Sequence, residues 1–195
     1  MANGHSPRDR IVYAAAQSIR ERGVAGTALR DVVERACAPR GSLQHYFPGG
    51  KDQLVAEALA WSADYAAAAV ARYEQQLRTP TPGALFALMA RQWQDEFDKR
   101  GYTRGCPLLA ATADVAGTDD ELRATVEAAF DAWLAPVGAA LKRMGVPPAR
   151  AKSLAVLMIS SLEGAIALAR ARADQAPLRA VVRELTPLLD QAVAQ

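Results

Sequence analysis

Glycine and proline residues divide this sequence into stretches in which apolar side chains return every three or four positions, and this pattern most constrains the fold. Such spacing places the apolar residues on one face of a helix. No stretch alternates apolar and polar residues as a half-buried strand does. Ala, Leu, Arg and Glu, which favour helix, fill the stretches between the main breaks at Gly23, 48–50, 79–83, Gly101 and 144–148. The sequence therefore predicts an all-α fold of about nine helices, three short ones followed by six mostly longer ones.

The first three predicted helices lie within about fifty residues. The first is expected to run from about Pro7, with Ser6 as its N-cap, to a stop at Gly23. The second is expected to begin with Thr27 as its N-cap, and a third short helix follows the turn at residues 37–39. A short helix, a tight turn and a second short helix form the geometry that places one helix in the major groove of DNA. The sequence therefore predicts a helix-turn-helix motif.

Charge divides the chain in the same place. Residues 1–51 carry eight Lys and Arg against four Asp and Glu, a net charge of +4, whereas the remainder carries 15 against 17, a net charge of −2. A basic segment favours a polyanion as partner. We therefore expect two domains: residues 1–50 as a helix-turn-helix DNA-binding domain and residues 51–195 as a ligand-binding and dimerisation domain.

The third predicted helix is similar to a known recognition element. Residues 36–47, Ala-Cys-Ala-Pro-Arg-Gly-Ser-Leu-Gln-His-Tyr-Phe, resemble that element of the TetR family of regulators. Upstream, Ile11, Ala15, Gly23 and Thr27 fall at the places that the family's N-terminal pattern occupies. The resemblance implies a three-helix DNA-binding head, a helical ligand-binding body and a homodimer that binds a palindromic operator.

Two further segments resemble one branch of that family. Residues 47–54, Phe-Pro-Gly-Gly-Lys-Asp-Gln-Leu, and residues 105–109, Gly-Cys-Pro-Leu-Leu, look like the LmrA/YxaF-like regulators, which respond to multiple drugs and flavonoids. The resemblance implies a repressor that a small hydrophobic or aromatic inducer releases from DNA. It also implies an efflux pump or a neighbouring oxidoreductase as an ordinary regulated gene.

Hydrogen-bonding side chains crowd the third helix and suit DNA contacts. Arg40 suits guanine or phosphate, Gln44 suits adenine, and His45 and Tyr46 suit phosphates or base edges. Family members usually carry Tyr at the position of Gln44, so its contact is not transferred from them. The alternatives are that His45 is an ordinary exposed histidine and that Tyr46 packs partly into the head.

Four flanking residues complete the predicted DNA-binding set. Thr27 and Lys51 are expected to contact phosphates, Ser42 is a minor contributor, and Gly41 lets the backbone approach DNA closely. The alternative for Thr27 is a capping role alone. The alternative for Lys51 is a solvated lysine.

The last two predicted helices are expected to form the dimer interface. A helix that is apolar on several faces is buried on several sides, and the family resemblance implies a four-helix interface with the same helices of a second copy. The alternative is burial within one subunit. The predicted dimerisation residues are Leu154, Leu157, Leu162, Leu168, Leu178, Val182, Leu185 and Leu189.

Aromatic and methionine residues of the body are candidates for an inducer pocket, which the resemblance implies among the fourth to eighth helices. Few charges lie on these stripes, which favours a hydrophobic or aromatic ligand. The alternative for each residue is ordinary core packing. The candidates are Trp61, Tyr65, Phe86, Met89, Trp93, Phe97, Phe130, Trp133 and Met158.

Other classes of function find less support in the sequence. No metal-ligand spacing, P-loop, Rossmann fingerprint or nucleophile elbow is present, so we expect no enzyme, no metal and no cofactor. Cys37 and Cys106 are expected to be buried thiols. A cytoplasmic protein without a membrane segment is predicted. A DNA-binding regulator without a small ligand, and a helical carrier, remain as alternatives.

Overall fold

A computed structural model describes residues 6–39, 41–114 and 120–193. Within these residues the chain forms nine helices and no strand, which confirms the all-α prediction. The bounds agree with the predicted breaks, since Gly23 and Gly101 follow helices and residues 79–81 precede one. The helices are α1 (Pro7–Arg22), α2 (Leu29–Arg35), α3 (Ser42–Tyr46), α4 (Gly50–Gln76), α5 (Pro82–Arg100), α6 (Pro107–Asp114), α7 (Asp120–Arg143), α8 (Pro148–Arg172) and α9 (Ala176–Asp190).

Local chemistry sets both ends of α1. The Ser6 hydroxyl accepts a hydrogen bond from the Asp9 backbone N–H and the Ser6 N–H donates to the Asp9 carboxylate, each at 3.2 Å. This capping box satisfies two backbone donors that a helix start would leave unpaired. Gly23, with φ of 75°, ends the helix in a conformation that favours glycine. Between these ends half of the residues of α1 are buried, including every residue from 14 to 19, and α2, α3 and α6 pack on the helix.

The chain divides into two compact units. The first contains Met1–Asp64 and Cys106–Phe130, and the second contains Tyr65–Gly105 and Asp131–Gln195. The boundaries fall within α4 and α7 rather than after residue 50. The first unit extends beyond the predicted head because α6, which is distant in sequence, packs against α1.

In the second unit, α9 packs against α5 and α8. The approach of α9 to the start of α5 is close, since the Gly83 N–H donates to Asp190 Oδ1 at 2.7 Å. A Cβ atom at Gly83 would lie 2.6 Å from Thr186 Cγ2 and 2.8 Å from the Thr186 carbonyl oxygen. Only glycine fits this crossing without displacing backbone.

Polar contacts join other elements of the second unit. The Arg143 guanidinium binds both carboxylate oxygens of Glu74 at 3.1 and 2.6 Å, and this hydrogen bonding raises the pKa of Arg143 above its ordinary value. Arg170 donates to the carbonyl oxygens of Tyr102 and Thr103, and so fixes the segment between α5 and α6. The Arg143–Glu74 pair is exposed, so its contribution to stability is small.

Two of the described helices, α4 and α8, are long and apolar enough to span a membrane by length and composition alone. The apolar stretch is 44% buried in α4 and 50% buried in α8. Core helices of soluble proteins pass the same test, so these two helices are weak evidence for a membrane protein.

We expect Gly83→Ala to lower the free energy of unfolding by about 2 kcal/mol, because the added Cβ forces α9 away from α5. Urea denaturation monitored by circular dichroism measures the change. Gly138→Ala in α7 is the control, since its Cβ would meet no atom closer than 3.9 Å. That change should stabilise the protein by roughly 0.5–1 kcal/mol. Equal effects of the two changes would contradict the close approach.

Candidate functional site

Two short helices and a turn form the motif that the sequence predicts. In the turn, the Ala38 N–H donates to the Val33 carbonyl at 3.1 Å and the Ser42 N–H donates to the Pro39 carbonyl at 2.9 Å. Cys37 has a φ of 49° and its side chain is exposed, so the prediction of a buried thiol is wrong at this position. Cys106, by contrast, is buried. Both α2 and α3 pack on α1, which gives the three-helix arrangement of a helix-turn-helix head.

The helix α3 exposes its polar side chains. Gln44 and His45 are exposed, Ser42 and Tyr46 are half-buried, and the His45 and Tyr46 rings meet edge to face with centroids 4.7 Å apart. Gly41 precedes the helix, is exposed, and has no atom within 4 Å of the position that a Cβ would occupy. None of the five residues of α3 is buried. The helix therefore offers four hydrogen-bonding side chains and an open backbone approach to a partner.

The remaining predicted DNA contacts are Arg40, Lys51 and Thr27. Arg40 lies outside the described residues. Lys51, the second residue of α4, is half-buried and forms no ion pair with another described residue. It is therefore available to an anionic partner.

The structure corrects the role of Thr27. Its side chain is 3% exposed, and its hydroxyl donates to the Gly23 carbonyl at 2.7 Å rather than capping α2. The N-cap of α2 is Ala28, and the helix begins at Leu29. Because the hydroxyl turns back toward the end of α1 and is buried, a contact from this hydroxyl to DNA phosphate does not fit this conformation.

Internal ion pairs occupy part of the positive charge counted in residues 1–51. Arg22 pairs with Asp31 at 3.1 Å and Arg35 pairs with Glu21 at 2.7 Å, and both pairs join α1 to α2. Arg30, by contrast, is exposed on α2 and forms no ion pair with another described residue. Sequence reasoning did not single out Arg30, because charge counting does not distinguish paired from unpaired arginines.

A carboxylate of α6 fixes the turn between α1 and α2. Asp114, the last residue of α6, accepts hydrogen bonds through Oδ2 from the backbone N–H groups of Val24 at 2.6 Å and Ala25 at 3.2 Å. A charged acceptor strengthens such bonds. The entry to the helix-turn-helix motif is thus held by a residue ninety positions away in the sequence.

Residues predicted to line a ligand pocket lie in both compact units. Trp61 and Phe130 belong to the first unit and the other seven to the second. Trp61 is 36% exposed, with its ring edge to face with Tyr13 at 5.3 Å. Both Phe130 and Trp93 are half-buried. The buried members, all in the second unit, are Phe86, Met89, Phe97, Trp133 and Met158.

Tyr65 lies in a small polar-aromatic cluster on α4. Its ring is 50% exposed beneath the Arg72 guanidinium, 5.4 Å from the ring centroid. Burial raises the pKa of the nearby Tyr73 to about 12; Tyr65 adds to this rise and Arg72 opposes it. The Tyr73 phenol is therefore neutral at physiological pH. As exposed rings, Tyr65 and Trp61 do not have the enclosed position that we expected of pocket residues.

The predicted dimerisation residues divide by burial, and four of them require correction. Leu154, Leu162, Leu178 and Leu189 are buried within the single chain, so a second copy cannot reach them in this conformation. The reason is that α8 and α9 each use a leucine face to build the core of their own unit. Leu168, by contrast, is 52% exposed, and Leu157, Val182 and Leu185 are half-buried. Two further large apolar side chains are exposed on these helices, Val156 on α8 and Leu188 on α9.

An open groove lies between α8 and α9. It has a volume of about 500 Å³ and includes Gly164, Leu168, Arg172 and Val181 in its lining. The lining is mostly small or apolar, with one exposed cation at its edge. None of the predicted ligand residues lines this groove.

Two segments of the sequence match known protein families. Residues 11–58 match "Bacterial regulatory proteins, tetR family", and residues 82–184 match "Transcriptional regulator LmrA/YxaF-like, C-terminal domain". An uncharacterized HTH-type transcriptional regulator of Mycobacterium tuberculosis is 39% identical over 188 residues, which cover 94% of each chain. The HTH-type transcriptional regulator LmrA of Bacillus subtilis is 28% identical over 178 residues, which cover 91% of this chain and 93% of LmrA.

Solved structures share the fold. The regulatory protein TetR from Rhodobacter sphaeroides aligns with a TM-score of 0.80 at 20% identity, over 93% of this chain and 97% of that one. A TetR transcriptional regulator from Chloroflexus aurantiacus aligns with a TM-score of 0.75 at 26% identity, over 99% and 98% of the two chains.

We expect Asp114→Ala to lower the free energy of unfolding by about 1–3 kcal/mol, because two backbone N–H groups lose a charged acceptor. Urea denaturation measures the loss, and amide hydrogen exchange should become faster at Val24 and Ala25. Asp120→Ala is the control, since among the described residues this exposed carboxylate pairs with Arg123 at 3.4 Å. The control should change stability by less than about 0.5 kcal/mol. Unchanged exchange at Val24 would show that the carboxylate does not hold the turn.

Proposed function

The chain belongs to the TetR family of DNA-binding transcriptional regulators, in its LmrA/YxaF-like branch, and we propose that it acts as a ligand-responsive repressor. In this proposal a small hydrophobic or aromatic inducer releases a homodimer from a palindromic operator. The relatives are transcriptional regulators rather than enzymes. Because such a regulator acts on the bacterial chromosome, we place the protein in the cytoplasm.

The proposal assigns operator reading to α3. The observation that carries it is that α3 exposes Gln44 and His45 and buries none of its residues, so its side chains are available to base edges. Gln44 presents an amide that pairs with adenine through two hydrogen bonds. Ser42, Tyr46 and the backbone at Gly41 add contacts at the same surface.

Cations around α3 supply the phosphate contacts in this proposal. Lys51 and Arg30 are unpaired among the described residues, and Arg40 adds a third positive charge to the segment. Phosphate contacts fix the register of a protein on the duplex, whereas base contacts select the sequence. We therefore expect Lys51 and Arg30 to contribute affinity without sequence preference.

The dimer is proposed to form through the exposed face of α8 and α9. One recognition helix reads only one half-site, so a palindrome requires two copies whose helices are about 34–36 Å apart. The groove at Gly164 and Leu168 supports this choice because its small residues allow a helix of a second copy to approach closely. A two-fold axis would bring Leu168 of both copies to the same surface.

Induction follows from the spacing of the two heads. An inducer that binds more tightly to a dimer with wrongly spaced recognition helices lowers operator affinity in proportion to that difference. The buried aromatic and methionine side chains of the second unit support a hydrophobic inducer over a sugar phosphate. If operator affinity is the same with and without each ligand that binds, the protein is a regulator that no small molecule controls.

We expect Gln44→Ala to reduce preference for one base pair in each half-site by about 1–3 kcal/mol while preserving affinity for random DNA. Sequences selected by the wild-type protein from random duplexes provide the operator, and fluorescence anisotropy measures binding. Arg91→Ala, an exposed cation on α5, is the control and should leave both affinities unchanged. Identical sequence preferences of wild type and Gln44→Ala would remove Gln44 from base reading.

We expect Leu168→Arg to weaken dimerisation at least on the order of 100-fold, because the interface would bury two unpaired charges next to Arg172. Analytical ultracentrifugation measures the dissociation constant. The matched control is Ala124→Arg, which adds the same charge at an exposed position on α7. A Leu168→Arg protein that remains as dimeric as the control would place the interface elsewhere.

A further inference from the structure

The recognition helix α3 is not held by a core of its own. It has five residues, none of them buried, and no side chain caps its start. Besides the packing of α3 on α1, contacts at its two ends therefore orient the helix. We propose that Arg8 on α1 and Glu57 on α4 are positioning residues that set the orientation of this helix. This inference rests on the proposed role of α3 in reading DNA.

The contact at the C-terminal end of α3 passes through Phe47. Phe47 is the C-cap residue of α3, and its ring is 1% exposed. The Arg8 guanidinium, in the first turn of α1, lies over this ring with its Cζ atom 5.5 Å from the centroid. Arg8 Nη2 also binds Glu57 Oε2 of α4 at 2.6 Å. The ion pair thus holds the guanidinium in place over the residue that ends the recognition helix.

The second oxygen of Glu57 continues the chain of contacts. Gln53 Nε2 donates to Glu57 Oε1 at 3.0 Å, and Gln53 Oε1 accepts from the Gly49 backbone N–H at 2.9 Å. Gly49 lies in the turn between α3 and α4. The network therefore joins the first turn of α1 to the backbone just after α3, and both carboxylate oxygens of Glu57 take part.

The other end of the motif is tied to the same turn of α1. Arg10 Nε donates to the carbonyl oxygen of Ala36 at 3.2 Å, where α2 ends. Arg8 and Arg10 therefore bind on either side of the segment that contains α3. Both were counted as basic charges available to DNA, and the geometry gives them an internal role instead.

The sign of the charge distinguishes positioning from simple electrostatics. Glu57→Gln removes a negative charge from the head, so electrostatics alone predicts tighter binding to DNA. Loss of positioning predicts weaker binding to the operator, because α3 loses its fixed orientation. If Arg8 instead contacted a phosphate, Arg8→Gln would weaken binding to every sequence and reduce the salt slope by about 0.9.

The experiment compares full-length wild type, Glu57→Gln, Arg8→Gln and the double variant. Two duplexes serve as probes: the sequence that wild type selects from a random pool and a scrambled sequence of equal composition. Glu127→Gln and Arg123→Gln are the controls, since this exposed pair on α7 has the same charges at 3.6 Å and takes no part in the hydrogen bonds and ion pair described above. Fluorescence anisotropy gives affinities, and circular dichroism melts confirm folding.

We expect Glu57→Gln and Arg8→Gln each to weaken binding to the selected duplex by roughly tenfold, with less than about a twofold change on the scrambled duplex. The double variant should lose no more than either single variant, because the two residues act as a unit. If Glu57→Gln unfolds the head, Gln53→Ala tests the same network without a change of charge and should weaken selected binding alone.

Two results separate the positioning role from the proposed function. If Glu57→Gln binds the selected duplex as tightly as wild type or more tightly, this result overturns the positioning role alone. A wild-type protein that selects no sequence would overturn both the role of α3 in reading DNA and the positioning that depends on it.

Discussion

Burial of α1 is the interaction on which the first compact unit depends, because α2, α3 and α6 all pack on this helix. Ile11 and Ile19 are fully buried there, and each such side chain contributes about 1.5–3 kcal/mol. Alanines 14–16 fill much of the same helix, and their small size allows close packing. The helix also carries Arg8 at its start, so the core and the proposed positioning of α3 depend on one element.

Both units place their proposed contact surfaces where side chains lie outside the core. In the first unit, buried residues of α1 support α3, none of whose own residues is buried. In the second unit, α5 and α9 meet closely at Gly83, and the exposed residue Leu168 of α8 lies in an open groove. The stable scaffold and the proposed contact surfaces thus use different residues.

Sequence predicted the helices well because their ends depend on local chemistry. Ser6 and Gly23 set the ends of α1 through contacts within a few residues, and such contacts can be read from neighbouring letters. Burial was harder, since periodicity shows that Leu162 is buried without showing which chain covers it. The tie from Asp114 to Val24 crosses ninety residues, and no local pattern indicates it. The short helix α3 was predicted, whereas the contacts of Arg8 and Glu57 beside it were not.

The absence of buried residues in α3 has an evolutionary consequence. A mutation in a core costs stability, and most proteins have little stability to spare. Exchanges at Ser42, Gln44 or His45 remove no buried side chain, so in the proposed role of α3 they would alter recognition at little thermodynamic cost. Duplicated copies of such a regulator can therefore acquire new operators by changing these few side chains, while selection preserves the scaffold beneath them.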